Sequence, residues 1–226
     1  MAQSVKILAF DTSTFVCSVA LLDTSRAQEP IRLSHEMAPQ QQTKRLIPMI
    51  KDLLMTSSLS FRELDAVAFS CGPGSFTGIR IASSVAQAIG FGANLPVIRI
   101  SSLAAMAMAA HLEEGWSSFL VAEDARMSEV YWAAYQINAE GEVELMGKEE
   151  TIRPKNVTIV GDSTWCAIGD GWAAYEKALV SRLGFKPRLI KASQLPTANA
   201  VALLAKPVYA SGGAVPASLA LPTYLR

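Results

Sequence analysis

The sequence is short of charge, cysteine and histidine. Asp, Glu, Lys and Arg make up 18% of its 226 residues, while hydrophobic residues reach 50%; an average domain carries about 25% charge. That balance excludes a disordered chain, and so thin a coat of charge suggests a surface meant for another protein. The three cysteines, Cys17, Cys71 and Cys166, have no CxxC spacing. They form neither a disulfide framework nor a zinc site, and a reducing compartment is expected. The two histidines, His35 and His111, make no HxxxH or HExxH pair, which removes the metallopeptidase signatures. No GxSxG elbow is present, and no Walker lysine follows the glycines. Long apolar runs are missing too. Ile81–Ile98 and Pro207–Leu225 lack charge but are broken by Ser, Gln, Asn and Pro, so neither reads as a bilayer helix of about 20 apolar residues. The run from Ile7 to Phe10 is too short for an export signal. A cytoplasmic protein without membrane contact is expected.

Formal net charge is zero, from 20 basic and 20 acidic residues, but the signs are unevenly spread. Residues 1–115 hold nine of each, residues 116–176 four basic and eleven acidic, and residues 177–226 seven basic and no acid. Such asymmetry can mark a nucleic-acid contact, or simply a solvated face paired with the acidic middle.

At roughly 150 residues per domain, the length allows one large domain or two small, tightly joined ones. Period-two and β-rich runs predict strands at Val5–Phe10, Val16–Leu22 and Ile31–Ser34. Helical spacing of Leu46, Ile50, Leu53 and Leu54 predicts a helix over Gln41–Thr56. A strand at Ala66–Ser70, a helix over Phe76–Ala93, a strand at Val97–Ile100 and a helix over Leu103–Leu112 follow. Strands alternating with helices imply an α/β fold with parallel pairing. The second half restarts the pattern with Phe119–Asp124 and Val130–Ile137, and Glu142–Glu150 stands as a third strand. After a strand-like Thr158–Val160 it dissolves, with helices expected over Trp172–Leu183 and Thr197–Ala205.

Two segments could hold a phosphate. Asp11, Thr12 and Ser13 lie at the tip between the first two strands, where hydroxyls and backbone N–H groups converge. The loop around Gly72 and Gly74 joins a strand to a helix N-terminus, which favours anions. On spacing alone each is equally a polar turn, with Ser75 or Thr77 capping the helix. The cluster Asp124-Ala125-Arg126-Met127-Ser128-Glu129 reads first as an ion-pair network.

The helix faces carry more. Leu46, Ile47, Ile50 and Leu54 are too many for one sheet-facing stripe, and Ile79, Ala82, Ser83, Ala86 and Gly90 form an apolar, small-residue face. Helices apolar on two sides are buried on two sides. These nine residues are therefore expected to pack against a partner, either a second copy or another subunit.

Three strings then carry a resemblance: Ile7-Leu8-Ala9-Phe10-Asp11-Thr12-Ser13, Gly72-Pro73-Gly74-Ser75-Phe76-Thr77-Gly78-Ile79-Arg80, and Asp124-Ala125-Arg126-Met127-Ser128-Glu129-Val130-Tyr131-Trp132. Together they resemble the TsaB (YeaZ) family over most of residues 4–175, and the likeness returns at Pro222-Thr223-Tyr224-Leu225-Arg226. The resemblance implies a duplicated, actin-like fold (ASKHA, ribonuclease H-like) with a degenerate second half. It divides the chain into an N-terminal subdomain, 1–108, carrying the dimerisation helices, and a C-terminal one, 109–226. It also implies a non-catalytic accessory subunit for threonylcarbamoylation of the adenosine next to the tRNA anticodon. Such a subunit would bind and activate a TsaD-type catalytic subunit, joined by a TsaE-type ATPase, and would be a homodimer in isolation. Contact with tRNA would be indirect or weak, and no cofactor or metal would be held.

In the related catalytic subunit two histidines four residues apart bind metal; Ser102 and Met106 stand at the corresponding places here. A hydroxyl and a thioether are poor substitutes for imidazoles, which leaves peptidase labels unsupported. The competing reading is an ATP-using phosphotransferase of the same superfamily, with Asp11 at the tip and Gly169, Gly171, Gly212 and Gly213 around a nucleotide. The sequence departs from the family at Gln42-Thr43, where many members carry His-Thr, and at Ala210-Ser211-Gly212-Gly213-Ala214.

Overall fold

The structure, a computed structural model, describes residues 4–158 and 164–225. Residues 159–163 lie outside this range, and with them most of the Thr158–Val160 strand signal. The chain forms two compact units, Met1–Ala105 with Pro196–Thr223, and Met106–Leu195 with Tyr224–Arg226.

In the first unit β1 (Lys6–Asp11), β2 (Val16–Asp23) and β3 (Ile31–Met37) form an antiparallel meander. After α1 (Gln42–Thr56), β4 (Ala66–Gly72) pairs parallel to β1. After α2 (Phe76–Ala93), β5 (Val97–Ser101) pairs parallel to β4, giving the sheet order β3-β2-β1-β4-β5. Helices α1 and α2 pack on one face, over Leu8, Phe10, Val19, Val67 and Phe69. Helix α5 (Ala198–Ala210) packs across the same strands. Its N-terminal Ala198 N–H donates to the Ser18 hydroxyl at 3.0 Å, a side chain one residue out of phase with Cys17 and Val19, which places α5 on the opposite face. With both faces covered, every residue of β2 is buried, as a central strand between helix layers requires.

The second unit repeats the plan. Helix α3 (Ser102–Glu114) leads into β6 (Ser118–Arg126), β7 (Glu129–Ile137) and β8 (Val143–Leu145), an antiparallel meander. Strand β10 (Cys166–Ile168) pairs parallel to β6, and β11 (Leu189–Lys191) pairs parallel to β10, with α4 (Gly171–Leu183) between them. The order β8-β7-β6-β10-β11 matches β3-β2-β1-β4-β5 strand for strand. Two copies of one topology make this the duplicated, actin-like α/β fold. The second copy is reduced: a 3-10 turn, Pro154–Asn156, stands among the described residues where the first unit has α1. Its core gathers Trp132, Trp165 and Trp172 with Leu179 and Leu183 under α4.

Two expectations change. The third strand of the second half, Glu142–Glu150, is split into β8 and β9 (Glu150–Ile152), which both pair with β7; Gly147, at φ 102°, turns the chain between them. A division at 108/109 would keep 109–226 together, yet Pro196–Thr223 belong to the first unit, because α5 needs the apolar sheet face of β1, β2, β4 and β5.

A locked tip around Asp11 and a strapped helix

The loop after β1 and the loop before α2 meet in close contact. Asp11 is 1% exposed. Its Oδ1 accepts from the Ser13 N–H at 3.0 Å and from the Ser13 hydroxyl at 3.1 Å, and that hydroxyl also lies 3.0 Å from Oδ2. Burial holds the Asp11 carboxyl above the usual carboxylate pKa, with the Ser13 hydrogen bonds acting the other way. The Thr12 hydroxyl donates to the Gly78 carbonyl at 2.7 Å, and the Ser75 N–H donates to the Ser13 carbonyl at 2.7 Å. A Cβ on Gly78 would lie 1.8 Å from the Thr12 carbonyl oxygen, and one on Gly74 2.6 Å from that of Ser13. Both glycines are there because backbone passes directly over backbone.

The structure thus brings Asp11, Thr12, Ser13 and Gly74 together but directs Gly72 elsewhere. A Cβ on Gly72, whose φ is 110°, would meet the Thr223 carbonyl oxygen at 3.0 Å. Nothing in the spacing of Gly78 marks it out, yet its approach is the closest among the described glycines. Chemically, the donors that could cradle a phosphate are committed to protein acceptors: the Thr12 and Ser13 hydroxyls and the Ser75 N–H each have a partner. Three of the four glycines of the phosphotransferase reading are committed as well, while a Cβ on the fourth, Gly212, would meet nothing within 4 Å. Cβ atoms on Gly169 and Gly171 would strike the Ala122 carbonyl oxygen at 2.4 and 2.9 Å, and one on Gly213 would meet Val208 at 2.8 Å. At the corresponding tip of the second unit, Asp124 accepts from the Arg126 N–H at 2.9 Å and pairs with its guanidinium at 3.1 Å. Arg126, Met127 and Ser128 form the turn with φ of 63°, 54° and 61°, left-handed without a glycine.

The residues that the resemblance aligns with metal ligands do not fit a metal. Ser102 is fully buried and its hydroxyl donates to the Pro73 carbonyl. Met106 is 1% exposed, its sulfur packed where a Cβ on Gly169 would come within 3.2 Å. Neither side chain offers the imidazole nitrogen of a divalent-metal site.

The helix faces require a correction. Ile79, Ala82, Ser83, Ala86 and Gly90 are buried inside the first unit, as are Leu46, Ile50 and Leu54 of α1. A strap, Val215–Thr223, occupies the small-residue stripe of α2. Val215 and Val97 exchange two backbone hydrogen bonds of 2.8 Å, and a Cβ on Gly90 would lie 2.8 Å from the Ala217 Cβ. The Ser83 hydroxyl donates to the Ala220 carbonyl, and the Thr223 N–H donates to the Cys71 carbonyl at 2.7 Å. The close approach read from the small side chains is real, but its occupant is this same chain. Of the nine expected interface residues only Ile47 is exposed, at 47%. The outward surface of the two helices carries Ile47 and Met55 on α1, and Ser84, Ala88 and Phe91 on α2.

Comparison with known proteins agrees with this geometry. The family model described as "TsaD: tRNA N6-adenosine threonylcarbamoyltransferase" matches residues 35–179. A protein of Escherichia coli K12, named tRNA threonylcarbamoyladenosine biosynthesis protein TsaB, is 38% identical over 98% of this chain and 94% of its own length. Its namesake in Haemophilus influenzae is 35% identical over 99% and 94%. A solved structure described as YeaZ from Pseudomonas aeruginosa superposes with a TM-score of 0.89 at 40% identity, covering 98% of this chain and all of that one. With likeness along nearly the whole chain, in sequence and in fold, the chain belongs to the TsaB family.

Proposed function

We propose that this chain is a non-catalytic accessory subunit in the making of threonylcarbamoyladenosine in tRNA, binding and activating a TsaD-type catalytic subunit with a TsaE-type ATPase joining the assembly. The TsaB relatives are named for that biosynthesis. The observation that carries the non-catalytic part is the locked tip: Asp11 is buried beneath Ser13, and the Ser75 N–H that could meet a phosphate is bonded to the Ser13 carbonyl. A phosphotransferase needs that carboxylate open to metal or water.

The partner surface in this reading is the outward face of α1 and α2. Ile47, Met55 and Phe91 are exposed at 47%, 71% and 67%, and exposed large apolar side chains favour association. The same face would serve a second copy when the catalytic subunit is absent, so the two associations exclude each other.

The test is rescue. In cells deprived of this chain, tRNA should lose threonylcarbamoyladenosine and regain it when the chain is supplied. The pure chain with ATP and magnesium should release no phosphate above buffer. Turnover abolished by Asp11→Ala would reverse the non-catalytic reading.

A further inference from the structure

One end of the second unit gathers cations that the proposed partner face does not use. Residues 177–195 contain Lys177, Arg182, Lys186, Arg188 and Lys191 and no acid. Lys191 is held by Glu113 and Glu114 at 2.7 and 2.6 Å. Arg182, in the last turn of α4, donates from Nε to the Val157 carbonyl at 3.1 Å, which draws the Arg153–Val157 segment against the helix end. Lys155 is two residues from that carbonyl, within about 7 Å along the backbone. Arg188 stands beside the start of β10, its N–H donating to the Trp165 carbonyl at 2.9 Å. Lys155, Arg182, Lys186 and Arg188 therefore share the end of the unit where β10 and β11 begin, and all four are exposed.

Helix-end electrostatics account for part of this, since a cation in a last turn complements the helix dipole. That explains Arg182. It does not explain Lys155 or Arg188, which lie outside the helix. Glu176 reaches Lys186 only at 3.6 Å with both side chains well exposed, a weak pairing in water.

We infer that this basic end, Lys155, Arg182, Lys186 and Arg188, is a docking surface for the phosphate backbone of RNA. This rests on the proposed role in tRNA modification, and it names the part of the chain that meets the nucleic acid. Charge complementarity chooses the partner: Arg guanidinium forks match phosphate oxygens, and contacts to phosphate position a nucleic acid without reading its bases. Four cations make a modest contact, so binding is weak and steeply dependent on salt.

The experiment uses the full chain and a fluorescent, unmodified tRNA transcript, with anisotropy measured from 50 to 200 mM salt. The expected log–log slope is about −3, from roughly 0.7–0.9 per neutralised phosphate. Exchanging Lys155→Gln together with Arg188→Gln should flatten the slope by about 2 and weaken binding on the order of tenfold at the lowest salt. The matched pair Arg62→Gln and Lys206→Gln, exposed residues of the first unit outside α1 and α2, should leave both unchanged. Equal effects from the two pairs, or no effect from the first with its melting curve unaltered, would overturn the inference. So would attachment to phosphatidylserine vesicles that needs Lys155 and Arg188 while tRNA binding does not. Rescue of tRNA modification by the unaltered chain is scored separately. Its failure counts against the proposed role, whereas rescue alongside indifferent tRNA binding counts against the docking surface alone.

Discussion

Ser83 and Ala220 are 137 residues apart in sequence and joined by one hydrogen bond, from the Ser83 hydroxyl to the Ala220 carbonyl. Around that bond the small side chains of α2 are covered by the chain's own strap. Disturbing this contact should therefore first affect folding, and association only afterwards.

Ala86→Arg places an unpaired charge at a fully buried position. It should destabilise the first unit by at least about 3 kcal/mol, read as an earlier urea midpoint. Gly90→Ala, whose new methyl would meet Ala217 and Val97 at 2.8 and 2.9 Å, should cost about 1–3 kcal/mol. A variant of either kind that melts like the unaltered protein would show that the strap is not seated there.

Gly78→Ala should be worse than Gly90→Ala. Its methyl would lie 1.8 Å from a backbone carbonyl, an atom that cannot turn aside as a side chain can. Loss of soluble protein, or a fall of about 3 kcal/mol or more in unfolding free energy, is expected.

Asp11→Asn should stabilise the protein as pH rises. Burial raises the folded carboxyl pKa above its ordinary value of 3.8. The folded state thus holds the proton longer than the unfolded state does, and that advantage is present in acid and lost as pH climbs through the folded value. The variant has no such proton to lose. Urea unfolding followed from pH 4 to pH 8 should show the unaltered protein falling relative to Asp11→Asn; parallel curves would contradict this.

Cys17 should resist thiol reagents. It is fully buried, and burial, with smaller contributions from Glu36 and Asp11, pushes its thiol up to about 12. In a labelling experiment at pH 8 it should react only after denaturant is added.

Ile47→Asp and Ala88→Arg alter outward positions of α1 and α2. Each should leave melting nearly unchanged while abolishing self-association and co-purification with a TsaD-type protein. Sedimentation of the folded variants decides whether this face is the partner surface.

Much of the first unit was legible because its signals are local. The 3.6-residue spacing of α1 and the Ser75 cap of α2 mark those helices within a residue at their starts. Strands β10 and β11, three residues each, carry too little pattern to register; long-range pairing defines them. The tip around Asp11 was readable as residues but not as a closed structure, since closure depends on Gly74 and Gly78 meeting Thr12 and Ser13 across some 60 residues of chain. The small-residue face of α2 is ambiguous for a related reason. Small residues announce that something approaches α2, but composition does not say whether it comes from another molecule or from residues 215–223.

The return of Pro196–Thr223 to the first unit bears on how the protein is made. On the ribosome the first 105 residues emerge with β1, β2, β4 and β5 lacking α5 on one face and α2 lacking its strap. At about 5–20 residues per second, the intervening residues take roughly 5–20 s to follow. The second unit, contiguous from Met106 to Leu195, has all its strands available first. Nascent chains released near Leu195 should therefore protect the second unit from protease while leaving the first open to cleavage.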